Sequence, residues 1–208
     1  MTAPSSPTVF VVDDYAPLRS SISRLLRAAG FVVAAFASAQ DFLAQYDSSV
    51  WGCLVLDLAM PALNGLELQH ILAKAGSPLP IIFLTGQADI PKSVQAMKHG
   101  ASDFLTKPVD DEDLLAAVRA AIEKDRALRR NQAQLAEIRA RLATLTPRER
   151  EVLEYVVAGK LNKQIAGELG TVEQTIKVHR ARVMQKMRVR SLAELVRLAE
   201  RCGIREGG

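Results

Sequence analysis

The sequence predicts a fold of two parts: an α/β doubly wound parallel sheet of five strands, then a long linker helix and a small all-α bundle of four helices. Three patterns predict it. Over the first half, short apolar or β-branched runs alternate five times with amphipathic helical stretches, the mark of parallel strands joined by crossover helices. From Asp110 the chain reads as one long helix. Beyond Thr146, four short helical stretches follow, each opened by a candidate capping residue.

The first strand is Thr8 to Val12, ending in Asp13-Asp14. Pro17 opens a helix whose apolar face is Leu18, Ile22, Leu25 and Leu26, and Gly30 closes it. Phe31 to Phe36 is the second strand, and Ser38 caps a short helix reaching about Tyr46. Trp51 to Leu56 is a near-continuous apolar run, read as a strand buried on both faces, and it ends on Asp57. Asn64 caps the next helix, with Leu66, Leu68, Ile71 and Leu72. Leu79 to Leu84 is the fourth strand, ending at Thr85-Gly86, and a helix is expected from about Ile90 to His99. Ala101 to Thr106 is the fifth strand, ending at Lys107-Pro108. The alternation suits a flavodoxin-like strand order.

The long helix carries Leu114, Ala121, Leu128, Leu135 and Leu142 at seven-residue spacing. The companion stripe, Ala117, Lys124, Asn131, Ile138 and Leu145, is half polar, so a coiled coil and a solvated linker both fit. Thr146-Pro-Arg-Glu149 is a capping box that opens the bundle's first helix, and Gly159 ends that helix. Asn162 is expected to cap the second helix and Thr171-Val-Glu-Gln174 the third, which runs to about Met187. Ser191-Leu-Ala-Glu194 opens the fourth, to about Arg201. The expected domains are residues 1–125, a linker 126–143, and residues 144–208.

Composition narrows the function. Apolar residues make up 49% of the 208, enough for a packed core. No apolar stretch has transmembrane length, and the N-terminus lacks the blocks of a signal peptide. Cys53 and Cys202 fall in different predicted domains, which fits a reducing cytoplasm and argues against a disulfide framework. Residues 144–208 carry 13 Lys and Arg against 8 acids, whereas residues 1–109 carry 7 against 8. The excess positive charge points to an anionic partner for the C-terminal part.

In a doubly wound sheet the ends of strands one, three, four and five line one edge. That edge collects Asp13, Asp14, Asp57, Thr85 and Lys107. Three carboxylates together repel unless a cation sits among them, and an all-oxygen set with open positions suits Mg²⁺. A lysine and a hydroxyl beside them suit the oxygens of an incoming phosphoryl group, and Asp is a known nucleophile for aspartyl phosphate formation. Taken singly, each residue has a plainer explanation: helix caps, a turn hydroxyl, a surface charge.

Val-Val-Asp13-Asp14, Leu56-Asp57-Leu-Ala-Met60-Pro61 with Gly65, Leu84-Thr85-Gly86 and Asp103-Phe104-Leu-Thr-Lys107-Pro108 resemble the motif set of bacterial two-component receiver domains, over about residues 7–125. The resemblance implies that Asp57 accepts phosphate from a sensor histidine kinase. It implies that Asp14 binds Mg²⁺ directly with help from Asp13, and that the Ala59 backbone carbonyl completes the metal site. Thr85 and Lys107 would contact the phosphoryl group, and Phe104 would be the switch aromatic, with core packing as its alternative.

The second and third bundle helices read as a helix-turn-helix. Val172 to Arg190 holds six cations against one acid, Glu173. Ile176, Val183 and Met187 should face inward. Candidate DNA contacts are Lys163, Glu173, Gln174, Thr175, Lys177, Arg180, Arg182 and Lys186. Leu145-Thr-Pro-Arg-Glu-Arg-Glu-Val-Leu153, Asn162-Lys-Gln-Ile-Ala166 and Thr175-Ile-Lys-Val-His-Arg180 resemble the LuxR-type effector domain. The whole order is most similar to the FixJ branch of the NarL/FixJ regulators. Where that family often has Ile-Ser before the recognition helix, this chain has Thr171-Val172, so the cap is displaced or weakened.

The resemblance implies a transcription regulator rather than a turnover enzyme, one that forms a homodimer on phosphorylation, binds double-stranded promoter DNA and works with RNA polymerase. A phosphatase of the haloacid dehalogenase type would need a second acid two residues after its nucleophile, and Ala59 stands there. A DNA-binding protein whose first domain only dimerises would not need the acid set.

Overall fold

The structure, a computed structural model, describes residues 6–86 and 100–204. The helix expected over residues 90–99 lies outside the described residues. The chain divides into two compact units, residues 1–129 and 130–208.

The first unit is built on five parallel strands: β1 (Thr8–Val12), β2 (Val32–Phe36), β3 (Gly52–Asp57), β4 (Ile81–Thr85) and β5 (Asp103–Thr106). Their order is β2-β1-β3-β4-β5. Helices α1 (Ala16–Ala28), α2 (Ala39–Gln45) and α3 (Gly65–Lys74) connect them, and α4 (Asp111–Ala143) follows β5. Every residue of β3 is buried, as expected for a central strand covered on both faces. The pleat sorts side chains into two cores. Val9, Val11, Cys53, Val55, Ile82 and Leu84 pack with α1 and the start of α4. Phe10, Val12, Leu54, Leu56, Ile81 and Phe83 pack with α2 and α3. Ser38 accepts from the Asp41 N–H, and Asn64 with Glu67 forms a full capping box.

The seven-residue stripe of α4 is not one seam. Leu114 and Ala121 are buried in the first core, together with Ala117, Val118 and Ile122. Leu142 and Ile138 pack in the core of the second unit. The second half of the stretch expected as linker thus contributes to the C-terminal core, and between the two cores Leu128 is exposed.

A buried ion pair holds α4 to the first unit. Asp125 is fully buried; its Oδ2 accepts from Arg129 Nε and from the Gly52 N–H, both at 2.9 Å. The Arg129 guanidinium also donates to the Ser48 and Val50 carbonyls, each at 3.1 Å. Gly52 has φ +150, and a Cβ there would lie 1.9 Å from the Thr8 carbonyl oxygen, so no other residue fits the start of β3.

The second unit contains α5 (Pro147–Val157), α6 (Asn162–Glu168), α7 (Glu173–Met187) and α8 (Leu192–Arg201) around one core. Thr146 and Glu149 form the expected capping box. Two cap expectations are corrected. Asn162 is the first residue inside α6, not its cap. Leu161 occupies the N-cap, and the Gln164 side chain accepts from its N–H at 2.7 Å. The Asn162 carboxamide oxygen instead accepts from Arg180 at 2.6 Å. Thr171 does not cap α7; Val172 holds the N-cap, with no side-chain hydrogen bond. At α8, Ser191 caps as expected, but Glu194 reaches back to the Arg190 N–H rather than to Ser191.

Candidate functional site

Parallel register brings the acidic strand ends together. β1 pairs Val12 with Leu56, so Asp13 and Asp57 leave the sheet side by side. β4 pairs Thr85 with Thr106, which puts Lys107 one step beyond on the neighbouring strand. One carboxylate oxygen from each of Asp13, Asp14 and Asp57 lies within 4.8 Å of the others. Asp13 and Asp57 are buried and Asp14 is exposed. The Lys107 ammonium sits 3.0 Å from both Asp13 Oδ2 and Asp57 Oδ2.

The electrostatics follow from the crowding. Burial raises the Asp13 carboxyl above its ordinary value; Lys107 opposes this and the neighbouring Asp57 charge adds to it. Burial disfavours the Lys107 ammonium, but its hydrogen bonds to Asp13 and Asp57 outweigh that and hold it above its ordinary value. One ammonium pairs with two of the three carboxylates, so the cluster retains excess negative charge. Its all-oxygen donors suit a hard divalent cation.

Other groups fix the geometry. The Tyr15 N–H donates to Asp13 Oδ1 at 2.8 Å, and Arg19 donates to the Asp13 carbonyl at 2.6 Å. The Ala59 N–H lies 3.3 Å from Asp57 Oδ1. Thr85 is buried, and its hydroxyl donates to the Gly86 carbonyl at 3.2 Å. The Lys107 N–H bonds the Thr85 carbonyl at 2.7 Å, tying the ends of β4 and β5 together. Gly65 is needed where α3 meets the site, because a Cβ there would lie 2.6 Å from the Asp57 carbonyl oxygen. Phe104 is 42% exposed, so the core-packing alternative for it does not hold in this conformation.

In the C-terminal unit, α6 and α7 form the helix-turn-helix. Ile176, Val183 and Met187 are all buried, as the spacing required. Lys163, Glu173, Gln174, Lys177 and Arg182 are exposed, and Thr175 and Arg180 half-buried. Lys177 pairs with Glu173 one turn away at 3.2 Å. Lys186 is not free on the helix. Its ammonium lies 2.6 Å from the buried Glu149 carboxylate and 2.9 Å from the Thr144 carbonyl. That bond, followed by the Thr146 backbone, holds Glu149 below its ordinary value.

Val178 is not among the candidate contacts of the recognition helix. It is 42% exposed, on the outer face beside Gln174. The signal was available: it lies two residues after Ile176, about 200° around the helix from the buried face. Arg19 and the Asp125–Arg129 pair were also passed over; an Asp and an Arg four apart on a helix look like an ordinary surface pair.

Comparison with known proteins agrees with both halves. Residues 9–119 match the response regulator receiver domain, and residues 143–199 match the luxR family of bacterial regulatory proteins. A receiver joined to a LuxR-type DNA-binding domain defines a transcriptional response regulator of a two-component system. Nodulation protein W of Bradyrhizobium diazoefficiens is 48% identical over 202 residues, covering 97% of this chain and 89% of that protein. The transcriptional regulatory protein FixJ of the same organism is 45% identical, covering 94% and 96%. Among solved structures, the response regulator StyR superposes with a TM-score of 0.85 at 45% identity, covering 94% of this chain and 99% of that one. Full-length FixJ from B. japonicum gives 0.58 at 43%, covering 97% and 99%. The chain belongs to the NarL/FixJ family of response regulators.

Proposed function

We propose that Asp57 is the phosphoacceptor, and that its phosphorylation by a sensor histidine kinase drives dimerisation and promoter binding. The observation that carries this is the Lys107 ammonium, 3.0 Å from both Asp13 and Asp57, at an edge where three carboxylates converge. An Asp57 oxygen attacks the phosphorus of a phosphohistidine. The P–N bond breaks, the freed imidazole nitrogen takes up a proton, and an acyl phosphate remains on Asp57. Asp13, Asp14, Asp57 and the Ala59 carbonyl would hold Mg²⁺, which when bound neutralises charge between carboxylate and phosphoryl oxygens.

Lys107 is placed to exchange a carboxylate for a phosphoryl oxygen. The Thr85 hydroxyl, now on the Gly86 carbonyl, turns to another, and the exposed Phe104 ring follows it. That remodels the face around β5, on which two copies pair. Two helix-turn-helix units then cover two half-sites about one DNA turn apart. Lys177, Gln174 and Glu173 meet base edges, together with Thr175 and Val178. Lys163 and Arg182 meet phosphates, and Arg180 steadies α6 through Asn162. We assign Lys186 to holding α7 against Glu149. The protein acts in the cytoplasm and engages RNA polymerase at its promoters; no described helix is long and apolar enough to cross a membrane.

The test is labelling with acetyl phosphate and Mg²⁺. Wild type should take up one phosphoryl group and Asp57→Asn none. Equal labelling of the Asn variant would refute the assignment.

A further inference from the structure

The second helix of the helix-turn-helix begins in a way that folding does not explain. Its N-cap is Val172, in an extended conformation, and no side chain bonds the open N–H groups of the first turn. Valine is among the poorest residues for this position, where Ser, Thr, Asn or Asp would accept such a bond. Nor does Val172 repay the helix by packing. It is 65% exposed, and among the described residues it joins no core cluster. Of the other helices of this unit, α5 and α8 are capped by Thr146 and Ser191 in the usual way, whereas α6 has Leu161 at its N-cap, with the Gln164 side chain accepting from the Leu161 N–H. A local rule broken without structural gain is expected at functional positions.

The position has one evident use. N-terminal residues of a recognition helix meet base edges in the major groove. There the apolar group a valine can contact is the C5 methyl of thymine. Gln174 and the Glu173–Lys177 pair beside it offer hydrogen-bonding groups but no methyls; Thr175 and Val178 carry methyls further along the helix. We infer that Val172 is a specificity-determining residue, reading a thymine methyl in each half-site. This rests on α6–α7 acting as the DNA-reading element.

Full-length protein, activated with beryllofluoride and Mg²⁺, first selects its preferred duplex from a random pool. Each thymidine in that duplex is then replaced in turn by deoxyuridine, which deletes the methyl and keeps every hydrogen-bonding group. Wild type should lose about fourfold in affinity at one symmetry-related pair of positions, as expected for one buried methyl. Val172→Ser should lose nothing at that pair and should melt at a higher temperature because a cap is restored. Val172→Ala should keep part of the loss. A deoxyuridine profile identical in wild type and Val172→Ser would overturn the inference, as would a wild type insensitive at every thymidine. Failure of wild type to enrich any duplex would count against the DNA-binding element itself.

Discussion

The two halves of the chain hold their charged residues in opposite ways. At the strand ends of the first unit, Asp13, Asp57 and Thr85 are nearly inaccessible, and Lys107 bridges two of them. Sheet topology leaves these side chains little choice of place. On α7 the cations project from a helix surface, and a neighbour decides what each does: Asn162 holds Arg180, Glu149 holds Lys186, and Arg182 stands exposed. The contrast teaches that charge type and address define the first site. In the second, a count of cations does not show which of them a neighbouring side chain holds.

The largest expected effect is at the buried site. Asp14→Ala should remove most Mg²⁺ binding, because it deletes one of three clustered carboxylates. An unchanged affinity in a Mg²⁺ titration would mean the cluster is structural. Asp13→Asn should lose the metal too, yet stabilise the metal-free domain. The raised Asp13 carboxyl marks an ionised form that the fold disfavours, a penalty present above its folded pKa. A lower melting temperature for the metal-free variant would contradict this.

Next comes the ion pair between Glu149 of α5 and Lys186 of α7. Glu149→Ala removes a capping-box partner and strands the Lys186 ammonium, which should cost about 2–3 kcal/mol by denaturant unfolding. Lys186→Met should lower stability and leave the salt dependence of DNA binding almost unchanged. Arg182→Ala should do the reverse, weakening all sequences and reducing the slope of log K against log salt by about 0.9. Equal salt slopes for the two variants would erase the distinction between them.

The smallest effect is in pH. Because Glu149 is held below the ordinary glutamate value of 4.5, its stabilising contribution is complete above that value. It is lost as pH falls through the lower folded value. Wild type should therefore lose C-terminal stability below about pH 4.5 more steeply than Glu149→Gln. Parallel pH profiles would remove Glu149 as the cause.

Much of this was legible in the sequence, for reasons that differ by residue. Asp57 could be placed because a near-continuous apolar run fixes a buried strand, and such strands end at one edge. Ile176, Val183 and Met187 could be placed by helical period alone. The partners of Lys186 and Asp125 could not, since nothing local says that Glu149 lies beside one or that the Gly52 N–H meets the other. The seven-residue stripe of α4 suggested one seam because periodicity does not reveal that a helix enters two different cores. Val172 at an N-cap was visible as an irregularity; its exposure was not.

The central claim is that the chemistry at Asp57 governs what α7 does. It is tested most directly by titrating the selected duplex with full-length wild type and Asp57→Asn, each with and without beryllofluoride and Mg²⁺, while light scattering follows the mass. Wild type should change from monomer to dimer and bind more tightly, and Asp57→Asn should respond in neither measurement. A wild type already dimeric and equally tight without beryllofluoride, or an Asn variant that responds like wild type, would contradict it.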